Sequence, residues 1–116
     1  MNIVGVGIDI LSLERVKNIL DIDRFSEYVL KETEVKTMLS SRDPIQFLAS
    51  RFAAKEALIK AYPETINYHD IETGKDENKF IQKVLKPGSD MYTINSSISH
   101  SFENTIAVAT VSMKIT

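Results

Sequence analysis

The chain opens on an alternation. In Ile3-Val4-Gly5-Val6-Gly7-Ile8-Asp9-Ile10, the residues Val4, Val6, Ile8 and Ile10 share one face at the period of two that a β-strand imposes. Ile3, Gly5, Gly7 and Asp9 share the other. Two glycines on the face of an aspartate clear side-chain bulk around its carboxylate. Either a ligand or another chain approaches the backbone there, or a helix packs against the glycines. Ser12 suits the N-cap of a helix running to about Leu20, with Arg15 in its second turn. Ile22 to Leu30 and Thr33 to Leu39 have the pattern of shorter helices, the second with Thr33 as its cap. Asp43-Pro44 marks the start of a longer one, with proline in the first turn. It runs to about Tyr62 and stops before Pro63. Tyr68 to Glu72 and Lys79 to Leu85 then suit short strands, with Gly74 marking the turn between them, and Pro87-Gly88 marks another turn. From Met91 to Ser99 the alternation returns, with Tyr92, Ile94 and Ile98 opposite Thr93, Asn95 and Ser97. Thr105 to Met113 is rich in β-branched residues. The order predicts an α+β fold, a mainly antiparallel sheet packed against one long helix and shorter helices. A length of 116 residues predicts a single domain spanning 1–116.

The long helix departs from a simple apolar stripe. On a wheel of about 100° per residue, Phe47, Leu48, Phe52, Ala54, Leu58, Ile59 and Tyr62 fill one broad arc. Arg51 and Lys55 project from within that arc. Glu56 and Lys60 stand together on the opposite side, four residues apart. Four fixed charges beside an aromatic anchor suggest a site for an anion and a metal. The competing account has Arg51 and Lys55 laying their stems over apolar surface while Glu56 and Lys60 form an ordinary surface pair.

Composition removes several classes of function. There is no cysteine, so neither disulfides nor thiolate chemistry is available. That fits a reducing compartment, and a cytoplasmic location is the expectation. A formal net charge of −2 argues against a general nucleic-acid binder while leaving room for a local basic patch. No apolar run approaches the ~20 residues of a membrane span. The apolar start lacks a basic leader region and carries Asp9, unlike a signal peptide.

The candidate chemistry lies on two elements. Asp9, in an apolar strand, and Glu56, mid-helix between the small residues Ala53 and Ala57, are the best carboxylates for a divalent cation. With Lys55 and Lys60 they would form a mixed cluster of carboxylates for Mg²⁺ and ammonium groups for phosphate oxygens. Phosphoryl transfer requires that division of labour. His100, at a strand end beside serines, reads either as a hydrogen-bonding turn residue or as part of a site. No Walker loop, GxGxxG or HExxH pattern is present.

Three blocks together carry a family resemblance. They are Gly7-Ile8-Asp9-Ile10 followed by Arg15-Val16, the run from Phe47 through Arg51-Phe52-Ala53-Ala54-Lys55-Glu56-Ala57-Leu58-Ile59-Lys60-Ala61, and Ile98-Ser99-His100-Ser101. In order, spacing and chain length this resembles the holo-acyl-carrier-protein synthase family, the small bacterial-type 4′-phosphopantetheinyl transferases. The resemblance implies transfer of the phosphopantetheine arm of coenzyme A to a serine of apo-acyl-carrier protein, with release of adenosine 3′,5′-bisphosphate. It implies Asp9 and Glu56 as Mg²⁺ ligands and Lys60 beside the phosphates. Arg51 and Lys55 would support the ligand or its adenosine end, with His100 near the nucleotide. Arg15 would pair with acidic residues of the carrier protein, helped by a patch with Lys17 and Arg24. It also implies a homotrimer with active sites between adjacent subunits. The chain departs from the family in two places. Tyr62-Pro63-Glu64-Thr65-Ile66 stands where a glycine-containing Gly-Thr-Gly-Ile loop is usual, and the Asn-Gly-[Lys/Arg]-Pro turn is absent. A catalytically silent relative that binds coenzyme A or carrier protein, and an unrelated structural oligomer, are the alternatives.

Overall fold

The computed structural model describes residues 2–114; Met1, Ile115 and Thr116 of the expected unit lie outside the described residues. The first strand, β1 (Asn2–Ser12), leads into three short helices, α1 (Leu13–Lys17), α2 (Ile22–Val29) and α3 (Glu32–Leu39). The long helix α4 (Pro44–Ala61) follows, then a 3₁₀ turn at Tyr68–Asp70. Strands β2 (Ile71–Asp76) and β3 (Lys79–Val84) form a hairpin, and β4 (Tyr92–His100) and β5 (Asn104–Met113) form a second. All pairings are antiparallel, in a three-stranded sheet of order β1-β5-β4 and a two-stranded sheet β2-β3. The fold is α+β, as the element order predicts.

Helix α4 starts where the sequence indicates. The Asp43 side chain accepts a hydrogen bond from the Gln46 N–H at 3.1 Å, with Pro44 in the first turn. Its small residues bring it close to β1: a Cβ on Gly5 would collide with the Ala61 carbonyl, and one on Gly7 with that of Ala57. The glycine face of β1 therefore receives a helix, which decides between the two accounts of that face. The core forms around this contact, with Leu48, Ala53, Ala57, Leu58, Ile71, Ala109 and Val111 buried. Alternation on β4 also holds, with Tyr92, Ile94 and Ile98 turned inward against the core.

Four local expectations are corrected. The β2–β3 turn is at Glu77-Asn78, where both residues take positive φ (51° and 67°), and Gly74 sits inside β2. Those angles match the two left-handed positions of a tight hairpin turn. Tyr68 opens the 3₁₀ turn rather than a strand. The first helix ends at Lys17, short of Leu20, and Ser12 makes no side-chain cap bond. Helix α3 begins at Glu32, and the cap role expected of Thr33 passes to Glu34, whose side chain accepts from the Lys31 N–H at 2.7 Å.

The apolar face of β1 is the unexpected one. Val4, Val6, Ile8 and Ile10 are between 42% and 63% exposed, and Ile106 on β5, paired with Ile10, is 45% exposed. The sheet thus has α4 on one side and an uncovered row of branched aliphatic residues on the other.

Candidate active site

Three of the charged residues singled out in the sequence converge. The Lys60 ammonium lies 3.1 Å from Asp9 Oδ1 and donates also to the Ile8 carbonyl at 3.1 Å, joining α4 to β1. Glu56, one turn earlier on α4, does not form a surface pair with Lys60; its Oε1 accepts from the Tyr68 hydroxyl. Burial pushes the Tyr68 phenol well above its usual range, reinforced by the hydrogen bond to Glu56 and by the negative charges of Glu56 and Asp9. Glu56 and Lys60, one turn apart, share a face of α4, and Lys60 carries the link from that face to Asp9. A cavity of about 540 Å³ opens beside Glu56 and Tyr68, lined also by Tyr28, Ile59, Ile66 and His69 among others.

The donor set suits one kind of cation. Among the described residues no cluster of three or more His, Cys, Asp or Glu side chains forms a metal cage. Asp9 and Glu56 each have one oxygen engaged, by Lys60 and Tyr68. The second oxygen of each has no protein partner among the described residues. Mg²⁺ is commonly held by one or two carboxylates, with water and substrate phosphates completing its shell. A closed structural Zn²⁺ site, which takes four protein ligands, does not fit.

Lys55 is elsewhere. Its side chain is fully buried, and its ammonium donates to Glu34 Oε1 at 2.8 Å, the Val29 carbonyl at 2.9 Å and the Tyr68 carbonyl at 3.1 Å. Three donors meet three acceptors, so Lys55 has none left for an external ligand, and the contact the resemblance implies is corrected to a buried one. Glu34 is equally enclosed. Its Oε2 accepts from both the Thr73 N–H and the Thr73 hydroxyl. Burial raises the Glu34 pKa, but hydrogen bonds from Lys55, Thr73 and Lys31 outweigh it and hold the carboxyl below the usual range.

Arg51 and His100 do not join the Asp9–Glu56–Lys60 group within one chain. The Arg51 guanidinium lies over the Phe47 ring at 4.3 Å and the Phe80 ring at 4.8 Å, and donates to Ser50 Oγ. It borders a cleft toward Glu72, Gly74 and Lys75. Burial pushes its guanidinium below the usual arginine range, and the Glu34 charge works against that shift. His100 ends β4 and shares a separate cleft of about 680 Å³ with Lys17, Asp43, Gln46 and Phe102. Gln46 precedes Glu56 by about 15 Å of helix at 1.5 Å per residue. Arg15 and Arg24 are exposed on α1 and α2. Arg24 lines a shallow groove with Leu20, Phe25 and Tyr28, whereas Lys17 faces the His100 cleft.

Sequence reasoning missed Tyr68, Glu34 and Thr73. None sits in a charged motif, and Tyr68 carried only the signal of a strand residue. What could have drawn attention was the short polar segment between Pro63 and Asn67, which leaves the chain little room to move away from the end of α4.

Residues 5–111 match the family described as the 4′-phosphopantetheinyl transferase superfamily. The chain belongs to this family of enzymes. Among curated 4′-phosphopantetheinyl transferases, the holo-[acyl-carrier-protein] synthase of Bacillus velezensis is 43% identical over 109 residues, covering 87% of this chain and 88% of its own. That of Maridesulfovibrio salexigens is 36% identical over 119 residues, covering 91% and 95%. The crystal structure of a holo-(acyl-carrier-protein) synthase from Bacillus anthracis in complex with CoA (3′,5′-ADP) superposes with a TM-score of 0.86 at 33% identity. It covers 98% of this chain and 100% of that one. The superfamily match spans β1 through most of β5, so Asp9, Glu56 and Lys60 all fall inside it.

Proposed function

We propose that this chain transfers 4′-phosphopantetheine from coenzyme A to a serine of an apo-acyl-carrier protein, releasing adenosine 3′,5′-bisphosphate, with Mg²⁺ as its cofactor. The reading is carried by Asp9 joined to Lys60 across two rigid elements, with Glu56 one turn away on α4 and bordering an open cavity. Asp9 and Glu56 hold the cation. When bound, it neutralises charge on the diphosphate and polarises the phosphorus under attack. Lys60, its side chain half exposed and its ammonium on Asp9, supplies a second positive charge to the phosphate oxygens. The serine oxygen forms a bond to the β-phosphorus, and the bond to the bridging oxygen breaks. That oxygen leaves with the nucleotide, and the serine proton passes to Glu56 or, by way of water, to Asp9. Incubated with coenzyme A and Mg²⁺, an apo-carrier protein is expected to gain about 340 Da, the mass of the transferred group. Mass spectrometry reads this directly, and several folded carriers left unmodified by a chain that binds coenzyme A would overturn it.

The carrier is proposed to dock on α1 and α2. Arg15 and Arg24 offer charge to an acidic partner, and Leu20 and Tyr28 are exposed apolar neighbours. Tyr28 borders both the Arg24 groove and the Glu56 cavity, so a partner seated there reaches Glu56. Arg51 and His100 are proposed to serve the nucleotide end of coenzyme A from a neighbouring subunit of a homotrimer. The uncovered row of Val4, Val6, Ile8 and Ile10 supports such an assembly, because an exposed apolar sheet face marks an interface. Light scattering is expected to give three times the chain mass for the native protein and one chain mass for Ile8→Asp. A native protein that runs as a monomer would overturn the trimer. No helix among the described residues is long and apolar enough to cross a membrane, and a cytoplasmic site of action accords with the cysteine-free sequence.

A further inference from the structure

Glu56 is held by a residue that no motif contains. Tyr68 opens the 3₁₀ turn Tyr68–Asp70, and that turn is tied down at several points. The Tyr68 carbonyl accepts from the buried Lys55 ammonium at 3.1 Å. The Asn67 N–H donates to Asp70 Oδ2 at 2.8 Å, and a His69 ring nitrogen lies 2.8 Å from the Glu27 carbonyl oxygen. The Tyr68 ring packs edge-on against Tyr28 at 5.4 Å and tilted against Phe52 at 5.8 Å. With main chain and ring both fixed, the hydroxyl has one place to go, and it donates to Glu56 Oε1.

We propose that Tyr68 is a positioning residue for Glu56, its carbonyl anchored by the buried Lys55–Glu34 pair and its hydroxyl orienting the carboxylate toward a divalent cation. This rests on the reading of Asp9 and Glu56 as the cation's carboxylates. A glutamate on an open helix face samples many rotamers. Mg²⁺ asks for oxygens at about 2.0–2.1 Å in near-octahedral order and tolerates little scatter. A hydroxyl that takes one carboxylate oxygen narrows that scatter and leaves the second oxygen for the metal. A phenylalanine would pack between Tyr28 and Phe52 equally well, so the hydroxyl adds nothing to this packing beyond its polar handle. The arrangement also gives Lys55 its place: it acts on the site through the Tyr68 main chain instead of touching substrate.

Mn²⁺ serves as the probe, titrated against the intact chain with coenzyme A and followed by electron paramagnetic resonance. Tyr68→Phe is expected to weaken Mn²⁺ binding about tenfold to a hundredfold, the usual effect of losing a partner behind a metal ligand. Its circular dichroism and thermal midpoint should match the native chain. Tyr92→Phe, at a ring that packs on Tyr62 away from the carboxylates, should leave the affinity unchanged. Equal Mn²⁺ affinity in the native and Tyr68→Phe chains would overturn the proposal. So would a Tyr68→Phe chain that fails to fold, because the hydroxyl would then serve the fold. A native chain that takes up no Mn²⁺ overturns the metal reading and this inference with it, and that outcome is seen before any substitution is made.

Discussion

Glu56→Ala is expected to slow phosphopantetheine transfer at least about a hundredfold, which corresponds to about 2.7 kcal/mol of barrier. The magnitude follows from what Glu56 does under the proposed mechanism. Removing one preorganised electrostatic contact to a developing charge commonly costs a factor of about 10²–10³, and here the lost carboxylate also carries half of the protein's hold on the cation. Folding should survive, since Glu56 is only partly buried and its side chain has Tyr68 as its one partner among the described residues. Initial rates from carrier mass at saturating coenzyme A, with thermal unfolding measured on the same sample, separate the two effects. Raising Mg²⁺ should restore part of the rate if the loss is one of metal affinity. A variant within about tenfold of native would remove Glu56 from the mechanism.

What was legible in the sequence were charges out of place. Asp9 interrupts an apolar strand, and Glu56 and Lys60 sit one turn apart on a helix rich in alanine. Each is odd enough locally to be noticed, and the helical and strand periods place Glu56 beside Lys60, and Asp9 on the glycine face of β1. Lys55 was equally visible and misleading, for the same reason. A wheel shows that a charge lies within an apolar arc, but not whether the arc meets a ligand or the core. On β1 the period of two grouped Val4, Val6, Ile8 and Ile10 correctly. It could not say that the glycine face would take the helix and leave the branched face uncovered, because close helix–strand approach depends on the absence of a side chain. Tyr68 and Glu34 were out of reach, since their partners lie in other elements: Tyr68 meets Glu56 across a loop, and Glu34 meets Thr73 from a distant strand. The turn at Glu77-Asn78 was missed because Gly74 is the stronger local signal, and hairpin register overrode it.

Lys55→Met carries the largest expected effect on stability, about 3–5 kcal/mol, the usual cost of removing one partner from a buried ion pair. The substitution keeps most of the side-chain volume but leaves the Glu34 carboxylate enclosed without its countercharge and the Val29 and Tyr68 carbonyls without a donor. Against a typical total of about 5–15 kcal/mol, that is enough to unfold part of the population. The pH dependence gives the sign. In the native chain the Glu34 pKa is lowered by folding, so its contribution is present above the unfolded value of 4.5 and fades as pH falls through the folded one. Without Lys55 its hydrogen bond and its charge are both lost, so the Glu34 pKa rises relative to the native chain although Thr73 and Lys31 still donate. The variant therefore gains relative stability as the carboxylate takes up a proton. The gap between the two chains should therefore narrow from pH 7 toward pH 4 in urea unfolding at fixed protein concentration. Glu34→Gln added to Lys55→Met should recover part of the loss by removing the stranded charge. Were Lys55 a ligand contact, the variant would instead keep its stability at both pH values and raise the KM for coenzyme A. The enclosed ammonium, with its three acceptors already in place, requires the first outcome.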